Sequence, residues 1–239
     1  MFLTIKKKSL LIFLCVVICL ISCGVYFGFK NTFASTYTGL VVVIDAGHGG
    51  ADGGSVSSFS GIDENHINLE YAKCLEDIFE SIGVRVIMTR KDLNGLYPIY
   101  STNRKKDDMK QRAKIIKKSN ADLVLSIHMN SFPLESSRGA QVFFKDGDIS
   151  SQTLANNIQQ MFVQNLPKAR TNAQKGDYYI LNCSNTPSVI VECGFLSNKE
   201  EESLLITKSY MQKVCLCIAY GVILSFIWKI KFLKIFENH

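Results

Sequence analysis

Apolar positions along this chain alternate between two patterns, short unbroken runs and longer stretches at helical spacing, with glycine-rich or polar loops between them. Leu40-Val41-Val42-Val43-Ile44 is a run of the first kind. It ends in Asp45-Ala46-Gly47-His48-Gly49-Gly50, so it reads as a buried strand feeding a glycine loop. From Ile62 to Ile82 the apolar residues Ile67, Tyr71, Cys74, Leu75, Ile78 and Ile82 recur at helical intervals, with Glu64 near the start and Gly83 as the stop. Val84–Met88 is the next strand, and the lysine-rich stretch from Arg104 to Ser119 is a helix with a narrow apolar stripe and a solvated charged face. Asp122–Ile127 is a further buried strand, running into His128-Met129-Asn130, and Gly139–Phe144 is another. A helix from Ser150 to Asn165, the apolar run Tyr178–Leu181 and the strand Ser188–Val191, which leads into Glu192-Cys193-Gly194, follow in order. The apolar stretch Val214–Trp228 is too short for a comfortable membrane span and predicts a buried final helix.

Strands alternating with helices predict an α/β fold: a single domain with a mixed, largely parallel central sheet flanked by helices on both faces. In such sheets ligands bind just beyond the carboxyl ends of the strands. His48, His128 and Glu192 each follow a predicted strand, so the topology should bring them to one edge.

With 239 residues and 47% apolar content, the chain supports one catalytic domain, residues 35–239, behind a targeting segment, residues 1–34. Lys6, Lys7 and Lys8 precede an uncharged, nearly continuous apolar run from Leu10 to Phe29. That length favours a membrane anchor over a cleaved signal, whose apolar part is usually about 7–15 residues. Cleavage after Ala34 and lipid attachment at Cys23, in Leu20-Ile21-Ser22-Cys23, remain open. The lysines should stay in the cytoplasm and the domain should face outward, on the outer face of the membrane or released from it.

The net charge of +6 owes much to Lys6, Lys7, Lys8 and Lys30; without them 23 basic face 21 acidic side chains. No arginine-rich or aromatic-interleaved basic stretch remains, which argues against nucleic acid as a partner. Of the eight cysteines, Cys15, Cys19 and Cys23 lie in the apolar segment. Cys74, Cys215 and Cys217 fall on apolar helical faces, Cys183 and Cys193 flank a strand, and the absence of Cys-x-x-Cys pairs leaves them as buried free thiols.

The chain has four histidines, two of them directly after buried strands. Two imidazoles and a carboxylate with one open position make the His₂Glu arrangement of hydrolytic zinc sites, and His48, His128 and Glu64 would supply it. Zinc hydrolysis also needs a group that takes a proton from water and returns it to the leaving amine. Glu192 is placed for that role or, equally, to pair with a lysine at a strand end. Asp45 either accepts the outer ring proton of a ligand histidine or caps its loop. His66, two residues from Glu64, should point away from it across the helix.

These segments resemble the zinc-dependent N-acetylmuramoyl-L-alanine amidases. The likeness rests on Asp45–Gly50, on Glu64 with Ile67-Asn68-Leu69, on Ser126-Ile127-His128-Met129-Asn130, and on Val191-Glu192-Cys193-Gly194-Phe195-Leu196-Ser197-Asn198. It runs over residues 40–225. The resemblance implies that His48, Glu64 and His128 bind zinc and that Glu192 is the catalytic carboxylate. It also implies cleavage of the amide between N-acetylmuramic acid and L-alanine of peptidoglycan. Cys193 and Asn65 replace residues common in that family without removing a required group. The small size, the membrane segment and Lys175–Leu181 are most similar to the germination-specific amidases, which act on spore cortex before a deacetylase so that muramic δ-lactam forms. Relatives controlled by other proteins add an activator to the expected partners. The rival readings are a zinc peptidase cutting within the stem peptide and a non-catalytic wall-binding protein.

Overall fold

The structure, a computed structural model, describes residues 38–236. The apolar segment Leu10–Phe29, with its three alternative fates, lies outside the described residues.

Six strands form one sheet in the order β2-β1-β3-β6-β4-β5: β1 Val41–Ala46, β2 Arg85–Met88, β3 Leu123–Asn130, β4 Gln141–Phe144, β5 Gln174–Lys175 and β6 Ser188–Phe195. β2, β1, β3 and β6 run parallel, β4 is antiparallel to β6, and β5 is parallel to β4. The helices are α1 Glu64–Ser81, α2 Arg104–Lys118, α3 Ile149–Asn165, α4 Tyr179–Asn182, α5 Lys199–Leu205 and α6 Lys208–Phe236. The mixed, largely parallel sheet expected from the sequence is therefore present, and helices cover both of its faces.

Strand alternation divides the core in two. Val42 and Ile44 point to the side of α1, α3 and α6, where Tyr71, Leu75, Phe79, Phe162 and Ile218 fill the interior. Val43, Val124 and Ile190 point to the other side, against Ala113 and Ile116 of α2 and Ile180 and Leu181 of α4. Each fully buried large apolar side chain of this kind contributes roughly 1.5–3 kcal/mol.

α1 begins without a side-chain cap; instead the N–H groups of Glu64 and Asn65 donate to the carbonyls of Ser55 and Gly53. The loop after the first strand is thus stitched to the helix start that carries Glu64. The helix stops where Gly83, at φ 78°, lets Val84 N–H reach back to Phe79 O.

Three expectations change on contact with the structure. β3 and β6 do not end before His128 and Glu192 but run through them, because the two strands keep pairing past a bulge between His128 and Asn130. The charged helix α2 is not merely solvated, since Asp108 and Arg112 are buried on its inner side. The final helix α6 is buried on one side only: Val214, Ile218 and Val222 are in the core, whereas Leu216, Tyr220, Leu224 and Ile227 are exposed. Among the described residues Cys74, Cys183, Cys193, Cys215 and Cys217 are free thiols, and all but Cys74 are buried.

Among the described residues Arg112 is the largest side chain that is fully buried. It donates to Asp45 at 2.7 Å, and its guanidinium is also bonded to Asp108. Removing one partner of a buried ion pair costs about 3–5 kcal/mol, because the remaining charge is stranded out of water. Arg112→Met should therefore lower unfolding stability by that order in a denaturant titration. Burial pushes the Asp45 carboxyl up, but Arg112 and the hydroxyls of Ser126 and Thr89 outweigh it and hold it at about 2. A carboxyl whose folded pKa is depressed stabilises the fold above its unfolded value and loses that stabilisation as pH falls. On the order of 2 kcal/mol should thus disappear between about pH 4 and pH 2. Acid titration of the unfolding free energy should show that slope, flattened in Asp45→Asn.

Candidate metal centre

The carboxyl edge of the sheet gathers the four residues singled out by the sequence. His48 stands in the loop after β1, His128 on β3, Glu64 on the first turn of α1 and Glu192 on β6. His128 and Glu192 are register partners on adjacent parallel strands, which puts both side chains on the same face of the sheet.

Glu64 is at the centre. One carboxylate oxygen lies 3.3 Å from His48 Nε2, and the other lies 3.0 Å from His128 Nδ1. The same carboxylate accepts from Ser55 N–H, Met129 N–H and Asn68 Nδ2 at 2.9–3.2 Å, so backbone and side-chain donors fix its orientation. One ligand atom from each of His48, Glu64 and His128 fits within 4.8 Å of the others. Atoms bound at 2.0–2.2 Å to a tetrahedral ion lie about 3.3–3.6 Å apart, so this donor set suits zinc in spacing and in chemistry. The two imidazole rings meet edge to face with centroids 5.0 Å apart. Exposed His66 is not among these groups.

Glycine is required at two points. A side chain at Gly47 would run into the His128 ring, and one at Gly54, where φ is +74°, would meet Glu64 and His48. Gly47→Ala should displace the His128 imidazole and weaken metal binding by at least about 10-fold while leaving the sheet intact, as read by zinc titration beside circular dichroism. His48 itself is at φ 59°, an uncommon conformation for a residue with a Cβ that is held by its surroundings.

Those surroundings include two arginines the sequence reading missed. Arg90 donates to the carbonyls of Ala46, Gly47 and Asn65 at 2.8–2.9 Å. Arg112 donates to those of Ala46 and His48. The loop thus points its carbonyls at cations and its imidazole into the cleft. Burial, with the charge of Arg112, lowers the Arg90 pKa to about 10, still far above neutrality. Asp45 touches neither histidine; it is committed to Arg112, Thr89 and Ser126. The outer nitrogen of His48 is met instead by Asp52 at 3.1 Å, with Lys105 3.7 Å from the same carboxylate. Burial lowers the His48 pKa, but the hydrogen bonds and charges of Glu64 and Asp52 outweigh it and raise it above 6.5.

Glu192 lines the same cleft, whose volume is about 430 Å³, together with Asp52, Lys105, Tyr178 and Tyr179. Its Oε2 is shut off from solvent without a hydrogen-bond partner. No lysine pairs with it among the described residues. Burial pushes this carboxyl up to about 7; the charges of His128 and His48 pull against that, and that of Glu64 adds to it. A carboxyl held near 7 beside a candidate metal centre suits a group that takes and returns a proton.

The chain belongs to the N-acetylmuramoyl-L-alanine amidase family, whose model matches residues 42–223. It is 34% identical over 194 residues to the germination-specific N-acetylmuramoyl-L-alanine amidase of Bacillus subtilis, covering 79% of this chain and 81% of that protein. The CwlD amidase from Clostridioides difficile, solved in complex with the GerS lipoprotein, superimposes with a TM-score of 0.75 at 35% identity. That match covers 78% of this chain and 98% of the chain in that structure. The catalytic domain of CwlV from Bacillus (Paenibacillus) polymyxa superimposes with a TM-score of 0.68 at 29% identity, over 77% of this chain and 96% of that one. The protein is accordingly an amide hydrolase of the bacterial wall, an N-acetylmuramoyl-L-alanine amidase.

Proposed function

We propose that His48, Glu64 and His128 hold a zinc ion and that Glu192 moves the proton in hydrolysis of the amide between N-acetylmuramic acid and L-alanine. That Glu192 lines the same cleft as the three donors, with a buried carboxylate oxygen left without a hydrogen-bond partner, is the observation that carries this reading. A zinc ion held by these three residues would supply the Lewis acidity that hydrolysis of an amide near neutral pH requires. Glu192 accepts the proton as water attacks, then delivers it to the departing alanine nitrogen, so one carboxyl serves as base and then as acid. Asp52 orients the His48 ring, and the donors around Glu64 hold the third ligand without rearrangement. A peptidase acting within the stem would use the same groups; the family match favours the muramoyl amide. A silent wall-binding protein has no need of Glu192 and all three donors.

The substrate reading narrows to spore cortex, where amidase action precedes deacetylation to muramic δ-lactam; the similarity to the germination-specific relative supports it. We also propose that residues 1–34 anchor the domain, residues 35–239, to the outer face of the cytoplasmic membrane. A lipoprotein of the kind that accompanies CwlD is the proposed activator. Spores of a strain lacking the gene should contain no muramic δ-lactam by muropeptide mass spectrometry, and the lactam should return with the wild-type gene but not with Glu192→Gln. Normal lactam content in the deletion strain would remove the cortex role.

A further inference from the structure

α6 has 29 residues, about 43 Å of helix, against about 26 Å for the eight residues of β6, so its end projects past the sheet. Its contacts give its direction. Near its start, Tyr71 of α1 donates to Leu205 O and Cys215 Sγ approaches Tyr71 O at 3.6 Å. Further along, Asn157 of α3 bonds to Ser225, and α3 begins beside the first residue of β6, where Ser188 N–H donates to Ser151. The helix therefore starts at the metal edge and leaves at the opposite one. Thr38, just ahead of β1, bonds to Gly83 O at that same opposite edge, so the chain preceding the domain enters there too.

Between Lys208 and Phe236 there is no acidic residue. The outer side of the helix exposes Tyr220 (58%), Leu224 (45%) and Ile227 (38%). The sequence then continues Trp228-Lys229-Ile230-Lys231-Phe232-Leu233-Lys234-Ile235-Phe236, alternating apolar and cationic residues. An aqueous surface gains nothing from exposed Tyr220, Leu224 and Ile227, whereas an anionic bilayer suits a sequence of this composition, taking apolar groups at the headgroup boundary and lysines among the phosphates.

We propose that the carboxyl-terminal end of α6 docks on an anionic lipid surface beside the segment that precedes β1, so that the catalytic cleft faces away from the membrane toward the wall. The placement rests on the reading of Leu10–Phe29 as a membrane segment, and the test separates the two. Trp228 is the single tryptophan of the chain and lies in this helix, so its fluorescence reports on α6 alone. The full chain is reconstituted with vesicles of phosphatidylcholine, or of phosphatidylcholine and phosphatidylglycerol, carrying brominated acyl chains. Flotation with both compositions reads the amino-terminal segment. Trp228 emission should fall about twofold or more in the mixed vesicles and little in the neutral ones. Lys229→Glu, Lys231→Glu and Lys234→Glu together, or Leu224→Gln with Ile227→Gln, should restore emission while the protein still floats. Unquenched emission in floating mixed vesicles overturns the docking, as does quenching that survives charge reversal. A concentration-dependent emission shift without lipid assigns the face to a second copy and also overturns it. Failure to float on neutral vesicles removes the anchor reading alone, and quenching in the mixed vesicles then still decides the docking.

Discussion

Replacing Glu192 by glutamine should leave zinc content unchanged and lower the rate of amide hydrolysis about 10²–10⁴-fold, the usual worth of a positioned acid–base group. The amide fills the same space on β6, and its oxygen can still face the cleft, but it cannot take a proton from water. The expected pattern is a loss in kcat with little change in KM, since the interaction removed is one realised only as the reaction proceeds. Metal analysis of the same preparation gives the assignment its force. Loss of zinc in Glu192→Gln would make Glu192 a ligand rather than the proton carrier, and full activity would return it to a strand-end carboxylate.

His128→Ala should lose both zinc and activity. Two of three protein ligands rarely retain a hydrolytic zinc ion, and the hole left at β3 opens directly beneath Gly47, whose lack of a side chain exists to accommodate this ring. Glu64 would keep its bonds from Ser55, Asn68 and Met129, so the local backbone should survive. The measurement is zinc stoichiometry and turnover after dialysis, with added zinc restoring wild-type but not variant activity. Retention of one zinc per chain at wild-type affinity would contradict the ligand assignment.

The fold was legible because burial leaves its mark in sequence. Val41–Ile44 and Leu123–Ile127 are unbroken apolar runs since both faces of those strands are covered, and α1 shows helical spacing since only one side of it packs. Three of the four candidate residues were legible for a related reason: His48, His128 and Glu192 come after such runs, at the sheet edge where elements converge, whereas Glu64 was marked by its place at the start of a helix. Arg112 and Asp108 were not legible. They sit in a lysine-rich helix whose charges look alike in sequence, and only the packing of α2 on the sheet turns two of them inward to meet Asp45. Asp52 escaped because a glycine loop has no periodicity to say which carboxylate reaches His48. Asp45, whose position beside the glycine loop suggested a partner for a histidine, instead neutralises the arginine that holds the loop. The half-exposed α6 was misjudged because apolar content gives total hydrophobicity, not which side of a helix meets the core.

Mass spectrometry of purified peptidoglycan incubated with the full chain in detergent, with and without a zinc chelator, tests the assignment of zinc and of the scissile bond together. The expected products are free stem peptides beginning with L-alanine and glycan strands bearing free lactyl carboxylates, absent with chelator and restored by added zinc. Shortened stems still attached to muramic acid, or stem release that persists under chelation, would contradict it.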